Sequence, residues 1–146
     1  MALACPARLA LAILVAAVVP AVAEDSDHED HAHHFVRITE GKLTPRVTTM
    51  RPGEAVAWAN YSPKTAVIAF DREVGKRIVC DAPGSFRLTE QRLESAALRP
   101  RQFASLCQLT PGRYAYVVEL RDAARGTPPS EGLEGTIVVE PAQGSP

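Results

Sequence analysis

Apolar residues alternate with polar or small residues over several short segments of this chain. In residues 54–60, Val56 and Trp58 share one face and three alanines occupy the other. Similar alternation, or a high content of β-branched residues, marks six further segments: 34–40, 46–50, 65–70, 102–109, 113–120 and 135–140. Residues 76–80 are a shorter candidate strand. Alternation with a period of two is typical of strands that place one face on a core, and the pattern predicts about seven short strands.

Helical spacing is limited to one place. Residues 89–98 read TEQRLESAAL and put Leu93, Ala96 and Ala97 at helical intervals, which predicts at most one short helix there. Proline- and glycine-containing turns separate the other segments. The pattern therefore predicts an all-β domain, an antiparallel sandwich or barrel.

The amino-terminal 23 residues have a different character. Arg8 precedes an uncharged apolar run, residues 9–19, and small residues follow up to Ala23. This pattern predicts a secretory signal peptide, residues 1–23, that is cleaved after Ala23, and hence a periplasmic or secreted protein. An uncleaved anchor is the alternative, but the run is short for a bilayer span. We expect no membrane span after cleavage.

The next segment, residues 24–34, reads EDSDHEDHAHH and can bury almost no apolar surface. It predicts a disordered acidic tail before a domain at residues 35–140, and residues 141–146 form a second short tail. The chain has four histidines, and all of them lie in the first tail: His28, His31, His33 and His34. Imidazoles suit Cu(II), Zn(II) and Ni(II), so the tail is a candidate metal site. The alternative is a solvated tail that binds nothing.

Charge excludes some partners. Lys and Arg number 16 and Asp and Glu 17, and one basic residue, Arg8, lies in the leader, so the mature chain carries a net charge of −2. A near-neutral chain argues against nucleic acid as the partner.

Two cysteines, Cys80 and Cys107, remain after cleavage of the leader. In an oxidising compartment an even pair predicts a disulfide. The alternative is that one or both are soft metal ligands. We also expect Trp58, Tyr114 and Tyr116 to pack in the core.

Several phrases, in this order and spacing, resemble the cupredoxins, the small blue-copper proteins. RPGEAVAWAN (51–60) is similar to a turn that leads into a V-x-W-x-N strand, and PGRYAYVV (111–118) is similar to their P-G-x-Y-x-Y strand. AVIAF (66–70) and GTIVVE (135–140) also fit. The resemblance implies a Greek-key β-sandwich and a structural hydrogen bond from Asn60 to a neighbouring loop.

The resemblance also implies a type 1 copper site with two histidines, a cysteine and a weak axial methionine. Their positions here would be Ala66, Arg121, Val118 and Ala124 respectively, and none of these residues is the expected ligand. Residues 35–140 contain no histidine, which argues against a conventional site in the core. A blue-copper carrier would require His33 or His34 to fold back onto Cys80 or Cys107.

We therefore predict an exported cupredoxin-like binding protein that handles copper, zinc or nickel through its tail. The alternative is a metal-free structural or interaction module of the cell envelope, which would hold a protein partner through sheet edges or the loop at 121–126. No nucleophile motif or phosphate loop is present in the sequence, so we expect no enzyme activity.

Overall fold

The computed structural model describes residues 32–81, 83–122 and 131–142. This part of the chain forms ten strands and one 3-10 helix, Arg72–Arg77. The strands are β1 His33–Ile38, β2 Leu43–Thr44, β3 Val47–Met50, β4 Ala55–Asn60, β5 Thr65–Asp71, β6 Phe86–Leu88, β7 Arg92–Ser95, β8 Phe103–Leu106, β9 Gly112–Arg121 and β10 Glu131–Val139.

The strands form two sheets. One has four strands in the order β2-β1-β4-β8, and the other has six in the order β3-β10-β9-β5-β7-β6. Two pairs, β1 with β4 and β3 with β10, are parallel, and the remaining pairs are antiparallel. The predicted all-β sandwich is confirmed, although its sheets are mixed.

The alternation in the sequence decides which side chains fill the space between the sheets. In β4, Val56 and Trp58 are fully buried, and in β9 the buried positions recur at every second residue from Tyr114 to Leu120. Alanines occupy the intervening positions of β4, and Ala115, Val117 and Glu119 occupy those of β9. This regularity confirms that β4 and β9 each contribute one face to the core.

Four aromatic rings join the two sheets. Trp58, from the four-stranded sheet, lies 5.8 Å from Phe70, 5.5 Å from Phe86 and 5.3 Å from Tyr116, measured between ring centroids. The contacts with Phe70 and Tyr116 are edge-to-face, the geometry that aromatic pairs favour. Trp58 is therefore the central contact between the layers, as predicted.

Tyr116 needs the glycine that faces it across the sheet. Gly135 is its register partner in β10, and a Cβ built on Gly135 would lie 2.3 Å from Cζ of the Tyr116 ring. Any side chain at this position would displace the ring from its packing against Trp58.

Two local predictions are wrong. Residues 89–98 do not form a helix: they contain β7, in which Leu93 and Ser95 are buried while Arg92 and Glu94 face outward. Pairing with β5 and β6 stabilises a strand here because long-range contacts outweigh weak local helical spacing. The predicted strand at 76–80 overlaps the end of the 3-10 helix, and only Ile78 forms an isolated bridge, with Leu109.

The amino-terminal boundary also differs from the prediction. β1 begins at His33, so His33 and His34 belong to the sandwich, where they pair with Ala55 and Val56 of β4. Backbone pairing with β4 orders these two residues, whatever the polarity of their side chains. Residues 24–31, the rest of the predicted tail, lie outside the described part.

The predicted disulfide is present. Cys80 is bonded to Cys107 across a sequence separation of 27 residues. The bond ties the segment that follows the 3-10 helix to the end of β8. Neither sulfur atom is therefore a thiolate in this structure.

The outer face of the six-stranded sheet carries a ladder of ion pairs across β6, β7 and β9. Arg87 and Arg92 both bond Glu94, with N–O distances of 2.7 and 2.9 Å, and Arg92 also bonds Glu119. Arg121 completes the ladder with a 2.6 Å bond to Glu119. The hydrogen bond from Arg87 is the main cause that lowers the pKa of Glu94, and that from Arg92 is the main cause for Glu119.

The contact between Gly135 and Tyr116 predicts a cost for any added side chain. We expect Gly135→Ala to lower the free energy of unfolding by about 2 kcal/mol, because overpacking of a filled core costs 1–3 kcal/mol. Urea unfolding followed by tryptophan fluorescence measures this. The matched control is Gly41→Ala, where no atom lies within 4 Å of the new methyl group. Equal stabilities for the two variants would contradict this account.

The ion-pair ladder predicts a pH dependence. Glu94 and Glu119 have pKa values below the ordinary 4.5, so their stabilising contribution is fully present above that value. It is lost as the pH falls through their lowered, folded-state pKa values. We expect Arg92→Met to lower the free energy of unfolding by about 1–2 kcal/mol at neutral pH and by much less at about pH 2.

Urea unfolding at both pH values checks this expectation. Arg46→Met is the control, because the pair between Arg46 and Glu134 is largely solvent-exposed and such pairs contribute little. A loss of stability in Arg92→Met that is independent of pH would show that packing, not charge, is responsible.

The disulfide predicts a third measurable cost. Replacing both Cys80 and Cys107 with serine should lower the free energy of unfolding by about 3 kcal/mol, since the loop that the bond closes gains freedom in the unfolded chain. Thermal unfolding of the variant should match that of the reduced wild-type protein. Titration of two free thiols at Cys80 and Cys107 in the purified protein without reductant would contradict the bond.

Candidate functional site

Two of the four positions at which the resemblance places copper ligands lie side by side in the core. Ala66 is near the start of β5 and Val118 near the end of β9, and both are 0% exposed. Ala66 is paired with Leu120 and Val118 with Ile68, so the two are diagonal neighbours on the inward face of the sheet. The topology thus brings these positions together, but methyl groups fill the space.

The surroundings of Ala66 are apolar as well. Its backbone forms a two-way bridge with Leu98, with N–O distances of 2.9 and 2.8 Å, and the Leu98 side chain is buried in the same cluster. Within the described ranges, no group of three or more His, Cys, Asp or Glu residues is placed to hold a metal ion.

The third position lies outside the core. Arg121 is the last residue of β9, and its guanidinium is held by Glu119. Ala124 falls outside the described residues, as does most of the loop at 121–126 that was a candidate partner surface.

The side chain of Asn60 joins two loops at the end of the sandwich that holds Ala66. The predicted structural hydrogen bond from Asn60 to a neighbouring loop is confirmed. Its Nδ2 donates to the carbonyl oxygens of Lys64, at 2.8 Å, and Leu98, at 2.9 Å. Its Oδ1 accepts from the amide and the hydroxyl of Ser62, at 3.0 and 2.7 Å. The turn between β4 and β5 and the segment around Leu98 are therefore joined without a metal ion.

The described histidines lie at the opposite end of the sandwich. His33 is paired with Ala55 at the start of β4, whereas Ile38 is paired with Asn60 at its end. At about 3.3 Å per residue, the two ends of β1 are about 16 Å apart. His33 and His34 are thus remote from Ala66 and Val118. His28 and His31 lie outside the described residues.

His34 is engaged by a carboxylate. Its Nε2 lies 2.7 Å from Oε2 of Glu54, which also accepts the backbone amide of Arg51 at 2.7 Å. The amide of Arg51, and after it the hydrogen bond with His34, lower the pKa of Glu54. This carboxylate therefore remains ionised at neutral pH and makes the beginning of β1 favourable for a cation.

A concavity of about 810 Å³ lies on the outer face of the six-stranded sheet. Small residues such as Ala69, Ala115 and Gly135 form part of its floor. Charged side chains form its rim, and several are already paired with one another: Arg46, Asp71, Arg92, Arg113, Glu119 and Glu134. The lining contains no histidine, cysteine or serine; its hydroxyl groups belong to Tyr116 and Thr136.

Sequence reasoning missed the outer face of the four-stranded sheet. Phe35, Tyr61 and Phe103 are 66%, 61% and 69% exposed on or at the border of this face. The available clue was the alternation itself: once Val36 is assigned to the core, Phe35 must face outward.

None of the described helices is long and apolar enough to cross a membrane.

Comparison with protein-family models gives no match, and comparison with curated protein sequences gives none either. Solved structures do match. The Cu(I) form of a methionine-to-alanine variant of amicyanin is 22% identical, with a TM-score of 0.53 over 78% of this chain and 87% of that chain. The reduced form of a tryptophan-to-tyrosine variant is 21% identical, with a TM-score of 0.52 and the same coverage.

Amicyanin from Paracoccus versutus is 18% identical, with a TM-score of 0.52 over 74% of this chain and 81% of that chain. At such identities the likeness concerns the fold and not the activity. Together with the strand order and the sequence phrases at 51–60 and 111–118, these matches confirm the resemblance: the chain has the cupredoxin fold.

Proposed function

We propose that this is an exported binding protein that captures a divalent metal ion, Cu(II) before Zn(II) or Ni(II), through imidazoles of residues 28–34. It transfers no electrons through a type 1 centre and catalyses no reaction. The observation that carries this proposal is the buried pair of Ala66 and Val118, because hydrocarbon occupies the space that ligands would need. Metal chemistry in this chain then depends on the only imidazoles it has.

The chemistry of the donors supports this assignment. Neutral imidazole is a good ligand for Cu(II), and the acidic residues of 24–30 add carboxylates nearby. Three of the matching amicyanin structures are named as Cu(I) forms, so copper is bound by a protein of this fold.

The geometry of β1 places the side chains of His33 and His34 on opposite faces of the sheet. His33 and His34 are consecutive in a strand, so their side chains leave on opposite faces and one ion takes only one of them. His34 is bonded to Glu54, whereas His33 is exposed. We therefore assign His28, His31 and His33 as the ligands, with His34 and Glu54 holding the start of the strand.

Metal titration of the mature chain, residues 24–146, tests the proposal. We expect about one equivalent of Cu(II) to bind, and the variant with His28, His31 and His33 all changed to alanine to bind at least about tenfold more weakly. His34→Ala is the matched control and should retain binding. Affinity should fall below about pH 6, because protonated imidazoles cannot ligate.

Three results would overturn this assignment. They are no binding by the mature chain, equal binding by the triple variant, and an intense blue colour with copper, which indicates a thiolate ligand. Amino-terminal sequencing of the exported protein separately tests cleavage after Ala23.

A second candidate function is favoured by a different observation. The exposed aromatic residues of the four-stranded sheet fit a protein-interaction module of the cell envelope, with or without a bound metal ion.

A further inference from the structure

The aromatic residues of this chain fall into two groups. The sequence contains four Phe, three Tyr and one Trp, and all eight lie in the described part. Five are buried, and the other three, Phe35, Tyr61 and Phe103, are each more than 60% exposed. These three cluster on one face, and a contiguous exposed apolar patch of this kind marks an interaction site more often than scattered residues do.

The shape of this face is set by the register of three strands. Ala57 is flanked by Phe35 of β1 on one side and Ser105 of β8 on the other, and Ala59 is flanked by Arg37 and Phe103. The alanines of β4 therefore form the floor of a trough, with larger side chains on the strands at either side. We call this surface the aromatic–alanine face; it comprises Phe35, Ala55, Ala57, Ala59, Tyr61 and Phe103.

Tyr61 continues the outward row of β4. Its amide donates to the carbonyl oxygen of Ile38 at 2.8 Å, which extends the pairing of β4 with β1 by one residue. The guanidinium of Arg37 lies 5.2 Å from the centre of the Tyr61 ring, a cation–π contact. One end of the trough is thus both aromatic and positively charged.

The charge of this face is not balanced within the described ranges. The outward positions of β1, β4 and β8 carry Arg37 and no carboxylate. Lys64, Arg99 and Arg101 lie near the same end, and none of the four cations has an ion-pair partner among the described residues. On the opposite face, in contrast, the ladder through Arg92 satisfies most of the charge internally.

The backbone at this end is strained. Arg101 has φ of 68°, a left-handed conformation that residues with a side chain seldom adopt. Its amide donates to the carbonyl oxygen of Asn60 at 2.7 Å, which holds the turn immediately before Phe103. Such strain persists where the surrounding structure fixes it, and it is found at binding sites more than elsewhere.

We propose that the aromatic–alanine face docks a protein partner that presents apolar side chains bordered by carboxylates. The apolar side chains pack against Phe35, Ala59 and Phe103, since Ala57 is already covered by its neighbours at 4% exposure. The carboxylates pair with Arg37 and its neighbouring cations. A protein fits better than a lipid surface, because an alanine floor receives protruding side chains but has little to insert into a bilayer. The aromatic–alanine face borders the proposed ligand His33, which pairs with Ala55. The docking proposal does not depend on metal binding, because none of its contacts involves an imidazole.

The test uses nuclear magnetic resonance of the isotope-labelled mature chain with two peptide probes. One peptide alternates leucine with glutamate, and its twin alternates leucine with lysine. We expect the acidic peptide to shift amide resonances of β1, β4 and β8 at about 1 mM or below, and the basic twin to bind at least about tenfold more weakly. Phe35→Ser with Phe103→Ser should abolish the shifts, and Arg37→Glu should weaken them several-fold.

Matched controls lie on the other sheet. Leu88→Ser removes an exposed apolar side chain, and Arg113→Glu reverses a cation that has no ion-pair partner among the described residues. Both should leave peptide binding unchanged. Thermal unfolding confirms that each variant is folded before binding is compared.

The proposal is overturned by no shift up to about 5 mM peptide, a range that covers weak recognition. Equal binding of the two peptides, or shifts that map to the six-stranded sheet, would also overturn it.

Sedimentation of the free protein as a dimer that buries this face would identify a second copy as the occupant. Binding to phosphatidylglycerol vesicles that Phe35→Ser and Phe103→Ser abolish, without binding to the acidic peptide, would identify a membrane surface. Either outcome replaces the protein partner proposed here.

Discussion

The packing of Trp58 between the two sheets is the interaction on which the rest of this structure depends. Its ring meets Phe70 and Phe86 from one half of the six-stranded sheet and Tyr116 from the central strand of that sheet. Each such pair adds about 0.5–1.5 kcal/mol beyond the burial of its surface. Because one side chain contacts three strands, it fixes the distance and register between the layers. The absence of a side chain at Gly135 leaves the space that the Tyr116 ring occupies in this packing.

A core held in this way does not need a metal ion to close it. The diagonal neighbours Ala66 and Val118 complete the apolar layer, and Asn60 joins the turn after β4 to the segment around Leu98 with four hydrogen bonds. A ligand set at those positions would place polar atoms in the core and would have to be satisfied by an ion. Hydrocarbon at the same positions stabilises the scaffold directly.

The sequence predicted the fold best where alternation is strict and local, as in β4 and β9, and where a polar residue has one obvious structural use, as at Asn60. It failed at residues 89–98, because β7 is held by pairing with β5 and by the bond from Arg92 to Glu119, 27 positions away. The parallel pairing of β1 with β4 could not be predicted from the sequence either, since the periodicity of a strand does not show which strand it pairs with. Because of this pairing, His33 and His34 belong to the sheet and not to the predicted tail.

The same pairing explains why chemistry in this molecule belongs to its surface. β1 carries His33 at one end and Arg37 at the other, with Phe35 between them, all on the outward side, while Val36 and Ile38 complete the core. One strand therefore links the histidine-bearing segment to the aromatic–alanine face. In a fold whose interior is closed by hydrocarbon, recognition of an ion or of a protein depends on the side chains that the sheet turns outward. The two outer faces differ in kind: one carries a ladder of ion pairs through Arg92 and Glu119, and the other leaves both aromatic rings and cations available to a partner.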